Sequence, residues 1–239
     1  MEFQGLHVLV TGGTGGIGLA CARAFAEAGA EVTVTGRDAG RGAAAAGAHP
    51  RLRFIRGDLA DLASVQNLIR YADAVDVLVN NAASFPGALT VEQDAESFTR
   101  TFATNVTGTY FLTAGLIPGM LARGRGSIVN ITSMVATKAV PGASVYSSSK
   151  AAVESLTRSW AVEFAAHGIR VNAVAPGPTS TDGVATEWGE TNEALGRALP
   201  IGRTADPDEI AQAVVFLASS RASFITGAVL HVDGGGIAV

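Results

Sequence analysis

Seven short runs of mostly apolar, β-branched residues alternate with helical stretches along the 239 residues of the chain. The runs lie at 6–10, 31–35, 52–56, 75–79, 127–131, 169–174 and 228–232. They are nearly continuous in apolar character, which is typical of strands covered on both faces. With right-handed crossovers, this alternation predicts an α/β fold in which a doubly wound, Rossmann-type parallel sheet of seven strands carries helices on both faces.

The length predicts one domain, 1–239, whose core needs no disulfide or metal. The start of the sequence lacks a signal-peptide pattern, and no apolar run approaches the roughly 18 residues of a membrane span, so we expect a cytoplasmic protein without a membrane partner. The net charge of -4 and the scattered arginines disfavour a nucleic-acid partner. The four histidines are far apart in sequence, and we expect no metal.

The helical stretches include 95–121, interpreted as one long helix, and 207–220, which Pro207 opens behind the cap candidate Asp206. Two other stretches resist a regular assignment. The Gly/Ala-rich segment 38–50 is interpreted as a frayed helix and loop. The segment 178–204 is long for a connection, and because such loops are often lids we predict a substrate loop there. Trp188 within it either closes over a substrate or has a packing role.

The string TGGTGGIG at 11–18 follows the first strand directly and opens an Ala-rich helix. Glycines let the backbone approach a pyrophosphate, and the helix N-terminus favours the anion. The glycines fit two registers, Gly13-x-Gly15-x-x-Gly18 and Gly12-x-x-x-Gly16-x-Gly18. We favour the second because Thr11 and Gly12 follow the strand at once. The candidate dinucleotide-binding residues here are Gly12, Thr14, Gly15, Gly16, Ile17 and Gly18.

The residues after the second strand bear on which dinucleotide is bound. An acid there would bind the ribose of NAD, whereas an arginine would accommodate the 2′-phosphate of NADP. Gly36 stands where the acid is expected and Arg37 follows it, which favours NADP. Asp38 leaves NAD open as the alternative, and Arg37 could also be an ordinary loop arginine.

Tyr146 and Lys150 are four residues apart in YSSSK and therefore share one helical face. Reduction of a ketone needs an acid near the developing alkoxide. A tyrosine, with a free pKa of about 10, suits this task when an ammonium group about 4 Å away stabilises its phenolate. Such a pair would usually be two surface residues of a helix, so the interpretation depends on context.

Ser133 and Asn105 add to that context. Ser133 ends the fifth strand, where its hydroxyl could hydrogen-bond a substrate oxygen or form a turn or helix cap. Asn105 is a poor helix former that more often bonds the local backbone.

Together these strings resemble the short-chain dehydrogenase/reductase family over nearly the whole chain. The matching pieces are TGGTGGIG at 11–18, Asp58-Leu59, NNAA at 80–83, NVTG at 105–108, Ser133, YSSSK at 146–150, PGPTST at 176–181 and VDGG at 232–235. The resemblance implies that Tyr146 donates or accepts the proton and Ser133 orients the substrate oxygen. It also implies that Lys150 lowers the tyrosine pKa and holds the nicotinamide ribose, and that Asn105 keeps a water in a proton relay.

The resemblance also implies where the cofactor lies. Asp58 and Leu59 would flank the adenine, and Asn80 and Ala82 would line the cofactor. The nicotinamide end would be bracketed by Pro176, Gly177, Thr179 and Thr181. Three features depart from the usual family pattern: Ala83 replaces a glycine, Thr179 replaces an aliphatic residue, and the helix between Asp61 and Val75 is short.

The leading prediction is an oxidoreductase that moves a hydride between NADP(H), or NAD(H), and a ketone or secondary alcohol, its small-molecule substrate. One alternative is a catalytically silent dinucleotide sensor, which would have no need of an acid/base. Another is a reductase of carrier-bound 3-oxoacyl substrates, which a cluster of Arg and Lys at the mouth of the site would indicate. Arg197 and Arg203 lie near the predicted substrate loop, but two residues do not decide between the alternatives. By analogy with the family, we expect a homo-oligomer, a homotetramer or a dimer.

Overall fold

The sheet of this protein is parallel throughout, with the strand order β3-β2-β1-β4-β5-β6-β7. The structure is a computed structural model that describes residues 1–72 and 74–239. The strands are β1 (His7–Thr11), β2 (Glu31–Gly36), β3 (Leu52–Arg56), β4 (Val77–Asn80), β5 (Gly126–Ile131), β6 (Ile169–Pro176) and β7 (Val229–Val232). All seven predicted runs form strands, so the predicted doubly wound α/β fold is confirmed.

Helices connect the strands and cover both faces of the sheet. They are α1 (Gly16–Glu27), α2 (Ala39–Gly47), α3 (Leu62–Tyr71), α4 (Ala95–Phe102), α5 (Thr109–Arg123), α6 (Ser144–Phe164), α7 (Asp182–Glu187), α8 (Glu190–Arg197) and α9 (Pro207–Ala218). Helix α9 begins as the sequence predicts, because Asp206 caps it in a capping box with Glu209 behind Pro207. None of the helices in the described ranges is both long and apolar enough to cross a membrane.

The two stretches that resisted assignment are more regular than predicted. The segment 38–50 contains α2, whose first turn is held by the Asp38 carboxylate accepting the Arg41 N–H at 2.9 Å. The segment 178–204 contains α7 and α8. Both are one or two turns long, too short for a helical period to stand out in the sequence.

The stretch 95–121 is not one α-helix. A π-helical turn, Ala103–Gly108, separates α4 from α5. Gly108 lies so close to the backbone of Leu59 that a side chain there would overlap the Leu59 carbonyl. Such turns are rare and occur often at functional sites, and this one carries Asn105.

Two apolar layers enclose the sheet. Val8 and Val10 point into the layer that contains Phe25 of α1, whereas Leu9 points into the opposite layer with Leu112 of α5. Neighbouring residues of a strand face opposite sides, so a strand buried on both faces is apolar at every position. This explains the continuous apolar runs in the sequence.

The strand order reverses beside β1, which pairs with β2 on one side and β4 on the other. At such a point the connections run to opposite faces and leave a crevice beyond the carboxyl ends of the strands. The residues that follow β1, β4, β5 and β6 line one cleft of about 720 Å³ at this edge.

Candidate active site

The glycine turn after β1 has a conformation that other residues rarely adopt. Gly12 and Gly16 have φ of 63° and 51°. A Cβ on Gly12 would lie 2.9 Å from the Ala82 Cα, and a Cβ on Gly18 would overlap the Gly12 carbonyl. These are the three glycines of the register Gly12-x-x-x-Gly16-x-Gly18.

The turn has room and polarity for an anion at the start of α1. The first main-chain bond of the helix runs from the Leu19 N–H to the Gly15 carbonyl, so the N–H groups before it are left for another acceptor. Within the described chain, no side chain caps this end and no acid lies in its first turn. Together with the glycine cradle, this end of α1 fits a pyrophosphate.

Basic residues surround the far end of the turn. Arg37 and Arg41 both line the cleft, and a Cβ on Gly15 would overlap the Arg41 guanidinium. Gly36 itself offers no acid, and a Cβ there would lie 2.9 Å from the Thr14 methyl carbon, so a side chain at this position would require Thr14 to shift. Asp38 uses its carboxylate to cap α2.

Three polar residues meet in the middle of the cleft. Tyr146 lies in the first turn of α6 and forms a side-chain hydrogen bond with Ser133. Ser133 lies two residues beyond the end of β5 and caps the single turn Met134–Ala136. Lys150 Nζ donates to the Ile131 carbonyl at 2.7 Å and lies 5.6 Å from the centre of the Tyr146 ring. The described chain therefore brings these three predicted residues together.

Asn105 is buried behind the cleft wall. Its Nδ2 donates to the Ser84 carbonyl and to Ser149 Oγ, both at 2.9 Å, and its Oδ1 accepts the Ser84 N–H at 2.7 Å. Ser149 Oγ donates in turn to the Tyr146 carbonyl at 2.7 Å. Asn105 thus joins the loop after β4 to the helix turn that carries Tyr146.

The segment 178–204 covers one side of the cleft. Thr181 caps α7, and a Cβ on Gly16 would lie 3.1 Å from the Thr181 methyl carbon. Trp188 Nε1 donates to the Phe85 carbonyl at 3.2 Å, and the Phe85 ring lies 6.1 Å from the Tyr146 ring. The segment therefore reaches across the opening to the loop that follows β4.

Comparison with known proteins agrees with this geometry. The family profile described as enoyl-(acyl carrier protein) reductase matches residues 12–236. The cis-4-hydroxycyclohexanecarboxylate dehydrogenase of Sinomonas cyclohexanicum is 42% identical over 241 residues, which cover 97% of this chain and 96% of that protein. A solved structure of a short-chain dehydrogenase/reductase family protein superposes with a TM-score of 0.96, at 56% identity and with full coverage of both chains. The chain belongs to the short-chain dehydrogenase/reductase family.

Other relatives in the family show what its chemistry covers. The galactitol 2-dehydrogenase of Agrobacterium fabrum is 36% identical over 252 residues, which cover 98% of both chains. A chain from Beutenbergia cavernae, solved with NADP bound at low occupancy, superposes with a TM-score of 0.92 at 36% identity, covering 100% of this chain and 99% of that one. This short-chain dehydrogenase/reductase is an NAD(P)-dependent oxidoreductase that transfers a hydride between the dinucleotide and a ketone or alcohol.

Burial sets the proton affinities in the site of this short-chain dehydrogenase/reductase. Loss of solvent raises the pKa of Tyr146 to about 12, although its hydrogen bond with Ser133 works in the opposite direction. Burial lowers the pKa of Lys150 to about 8. The Lys150 ammonium group is bonded to the Ile131 carbonyl and faces the phenol ring, and its expected lowering of the tyrosine pKa stays a prediction. Tyr146 is therefore a neutral phenol at neutral pH.

Most cofactor residues expected in this short-chain dehydrogenase/reductase line the cleft, but several lie behind its wall. The residues on the wall are Gly12, Gly15, Gly16, Ile17, Arg37, Ala82, Tyr146, Lys150, Pro176, Gly177, Thr179 and Thr181. Thr14 and Gly18 instead pack inside the glycine turn, against Gly36 and Gly12. Leu59 is buried against Gly108, and Asp58 lies behind Arg100, with its carboxylate 3.9 Å from the Arg100 guanidinium.

Asn80 is also behind the wall, contrary to expectation. Its Nδ2 donates to Thr113 Oγ1 at 3.0 Å and to Asn130 Oδ1 at 2.9 Å, inside the layer under α5 and α6. Side chains alternate between the two faces of a strand, so Asn80 points into the layer beneath the helices. The next residue, Asn81, reaches the cleft.

Sequence analysis missed three wall residues that make specific contacts. Asn81 Nδ2 donates to the carbonyls of Thr11 and Gly12 at 2.9 and 3.1 Å, which ties the loop after β4 to the glycine turn. Arg41 lies four residues after Arg37, in the first turn of α2, a spacing that could have suggested a second cation. Arg100 lies on α4, and its sequence neighbourhood offers no signal of this position.

Proposed function

We propose that this oxidoreductase reduces ketones, and oxidises secondary alcohols, with NADP(H) as its preferred dinucleotide and Tyr146 as its acid/base. The observation that supports this most is the convergence of Ser133, Tyr146 and Lys150 on the cleft that begins at the glycine turn. In this arrangement the Ser133 and Tyr146 hydroxyl groups lie in the same cleft as the proposed pyrophosphate site.

The protein groups act on the substrate oxygen. The Ser133 hydroxyl binds and orients the carbonyl oxygen, and the neutral Tyr146 hydroxyl donates its proton as negative charge develops there. Lys150, while protonated, favours the phenolate that is left. When bound, the nicotinamide supplies the hydride for reduction or accepts it in oxidation.

The residues that would hold the dinucleotide follow from the cleft. The N-terminus of α1 and its glycines would take the pyrophosphate, and Lys150 would hold the nicotinamide ribose. Pro176, Gly177, Thr179 and Thr181 would bracket the nicotinamide end.

The preference for NADP is supported by charge and by space. Arg37 and Arg41 place two guanidinium groups beside the glycine turn, where a 2′-phosphate would find bidentate donors. Gly36 has no side chain where NAD-dependent relatives of this fold use an acid as the ribose ligand, and Thr14 crowds this position.

Absorbance at 340 nm tests the proposal directly. Wild-type protein should oxidise NADPH with members of a panel of ketones, and Tyr146→Phe should not. If wild-type protein turns over no ketone or alcohol with either dinucleotide, the proposal fails and the silent-sensor alternative takes its place.

We also propose that this protein forms a homo-oligomer, a homotetramer or a dimer. Tyr110 and Phe111 of α5 are 42% and 48% exposed and line a second surface cleft together with Ser155 and Leu156 of α6. A neighbouring subunit would bury these rings. Light scattering that gives the mass of one chain would contradict this. The cytoplasmic location stays a prediction.

A further inference from the structure

The end of the cleft beyond Tyr146 has apolar walls. Phe85 packs edge-on near the Tyr146 ring, and the Trp188 side chain lies over Gly87, whose Cβ position is 3.3 Å from the indole ring. Other apolar residues that line the cleft include Val135, Val140, Val184 and Leu195. We name this part of the cleft the substrate end.

The cations of the cleft lie at its other end. Arg37 and Arg41 flank the glycine turn, and Arg100 lies beside Asp58, which follows β3. Among the described residues at the substrate end, Lys150 is the one basic residue, and its Nζ is bonded to the Ile131 carbonyl. Glu187, next to Trp188, is the one acid that lines the cleft in residues 1–72 and 74–239.

Basic residues on the neighbouring segments are also engaged. Lys138 Nζ donates to the carbonyls of Gly236 and Val239 at 2.8 and 2.9 Å. The Arg203 guanidinium pairs with both oxygens of Glu209, at 2.7 and 2.8 Å. Arg197 does not line the cleft. Among the described residues, neither Arg197 nor Arg203, the two basic residues considered for a carrier-bound substrate, is presented to this site.

We propose that Phe85, Trp188 and Glu187 make the substrate end selective for compact, uncharged ring ketones and the matching alcohols, against carboxylates and substrates on an acidic carrier. This inference rests on the proposed ketone reduction. The aromatic side chains give apolar surface against which an aliphatic ring is buried. A carboxylate there would lose its solvent without gaining a cation and would also face the Glu187 carboxylate.

Two ketones with the same ring, one neutral and one carrying a carboxylate, test the effect of charge on kcat/KM separately from the effect of ring shape. The probes are 4-methylcyclohexanone and 4-oxocyclohexanecarboxylate, measured with NADPH. We expect kcat/KM for the neutral ketone to exceed that for the carboxylate by about 100-fold, since an unpaired charge is costly to bury. A ratio below about threefold, or a reversed ratio, overturns the proposal.

Substitutions of Glu187 and Trp188 test whether these residues cause the selectivity for the neutral ketone. Glu187→Gln should narrow the ratio by about threefold, a modest change because this exposed charge is screened. Glu190→Gln, the matched control at an exposed acid that does not line the cleft, should leave the ratio unchanged. Trp188→Ala should raise KM for the neutral ketone about tenfold through lost apolar contact, whereas Trp188→Phe should raise it much less. Equal effects of Glu187→Gln and Glu190→Gln would remove Glu187 from the proposal.

Binding can be followed without turnover through Trp188. The chain has two tryptophans, and Trp188→Phe identifies the part of the fluorescence that comes from the substrate end. In the presence of NADP⁺, 4-methylcyclohexanone should change this part at a concentration at least tenfold lower than the carboxylate does. Equal or tighter binding of the carboxylate overturns the selectivity even if ketone reduction holds. Selective binding without any turnover would instead contradict the proposed function alone.

Discussion

Lys150 donates its Nζ–H to the main-chain carbonyl of Ile131 at 2.7 Å, inside a site from which burial excludes most solvent. This bond joins α6 to the end of β5 and holds the ammonium group over the face of the Tyr146 ring. The lysine is thus fixed between the two chain segments that carry Tyr146 and Ser133. Burial of its charge lowers the stability of the folded protein.

Because the buried Lys150 charge destabilises the folded protein, we expect its removal to be stabilising. Burial lowers the lysine pKa from 10.5 to about 8, so the buried ammonium destabilises the folded state below pH 8. Lys150→Met should therefore raise the free energy of unfolding at pH 7 by about 1–2 kcal/mol, because removing the charge outweighs the lost bond to Ile131. Activity should be lost. Urea unfolding at pH 7 measures the gain.

The stability gain of Lys150→Met should also depend on pH, and it should decrease as the pH rises. Between pH 8 and 10.5 the folded wild-type protein holds its lysine neutral while the unfolded chain still binds the proton, so wild-type stability rises. The advantage of Lys150→Met should shrink across this window. A gain that stays constant up to pH 10.5 would mean that the lysine charge is not its cause.

Tyr146→Phe tests the acid/base directly. Loss of a positioned general acid should lower kcat for ketone reduction by about 10³-fold, while the ring stays in place beside Phe85. Titration of NADPH fluorescence should give an unchanged affinity. A loss of NADPH affinity as large as the loss of kcat would point to a collapsed site.

Arg41 is expected to contribute to the choice of dinucleotide. Arg41→Ala should weaken NADPH binding about tenfold and leave NADH binding within twofold, since only NADPH carries the 2′-phosphate that this guanidinium can bind. Isothermal titration measures both affinities. Arg23→Ala removes an exposed charge from α1 outside the cleft and serves as the control. Equal losses of affinity for NADPH and NADH would mean that Arg41 supports the glycine turn and does not bind the 2′-phosphate.

Ser149 should matter as the link between Asn105 and the turn of Tyr146. Ser149→Ala leaves the buried Nδ2 of Asn105 with one partner fewer and should cost about 1–3 kcal/mol of unfolding free energy. It should also lower kcat more than it raises KM, because Tyr146 loses a positioning contact. Ser148→Ala removes a hydroxyl bonded to its own helix turn, at Val145, and should change both quantities little. Similar effects of the two substitutions would argue against this link.

The sequence by itself determined the number of strands and their parallel direction, because burial on both faces makes each strand apolar throughout. It also determined the conformation of the glycine turn, since only glycine tolerates the backbone at Gly12 and Gly16. The local spacing of Tyr146 and Lys150 placed them on one helical face.

Only the tertiary structure decided which neighbouring residue reaches the cleft. Asn80 and Asn81 are identical residue types, and the pleat of β4 sends the first into the core and the second to the glycine turn. Tertiary structure also decided the direction of the Tyr146 pKa shift, since burial raises this pKa and Phe85, distant in sequence, packs beside the Tyr146 ring. Patterns within a few residues specify backbone conformation, whereas burial and charge pairing arise when distant segments meet.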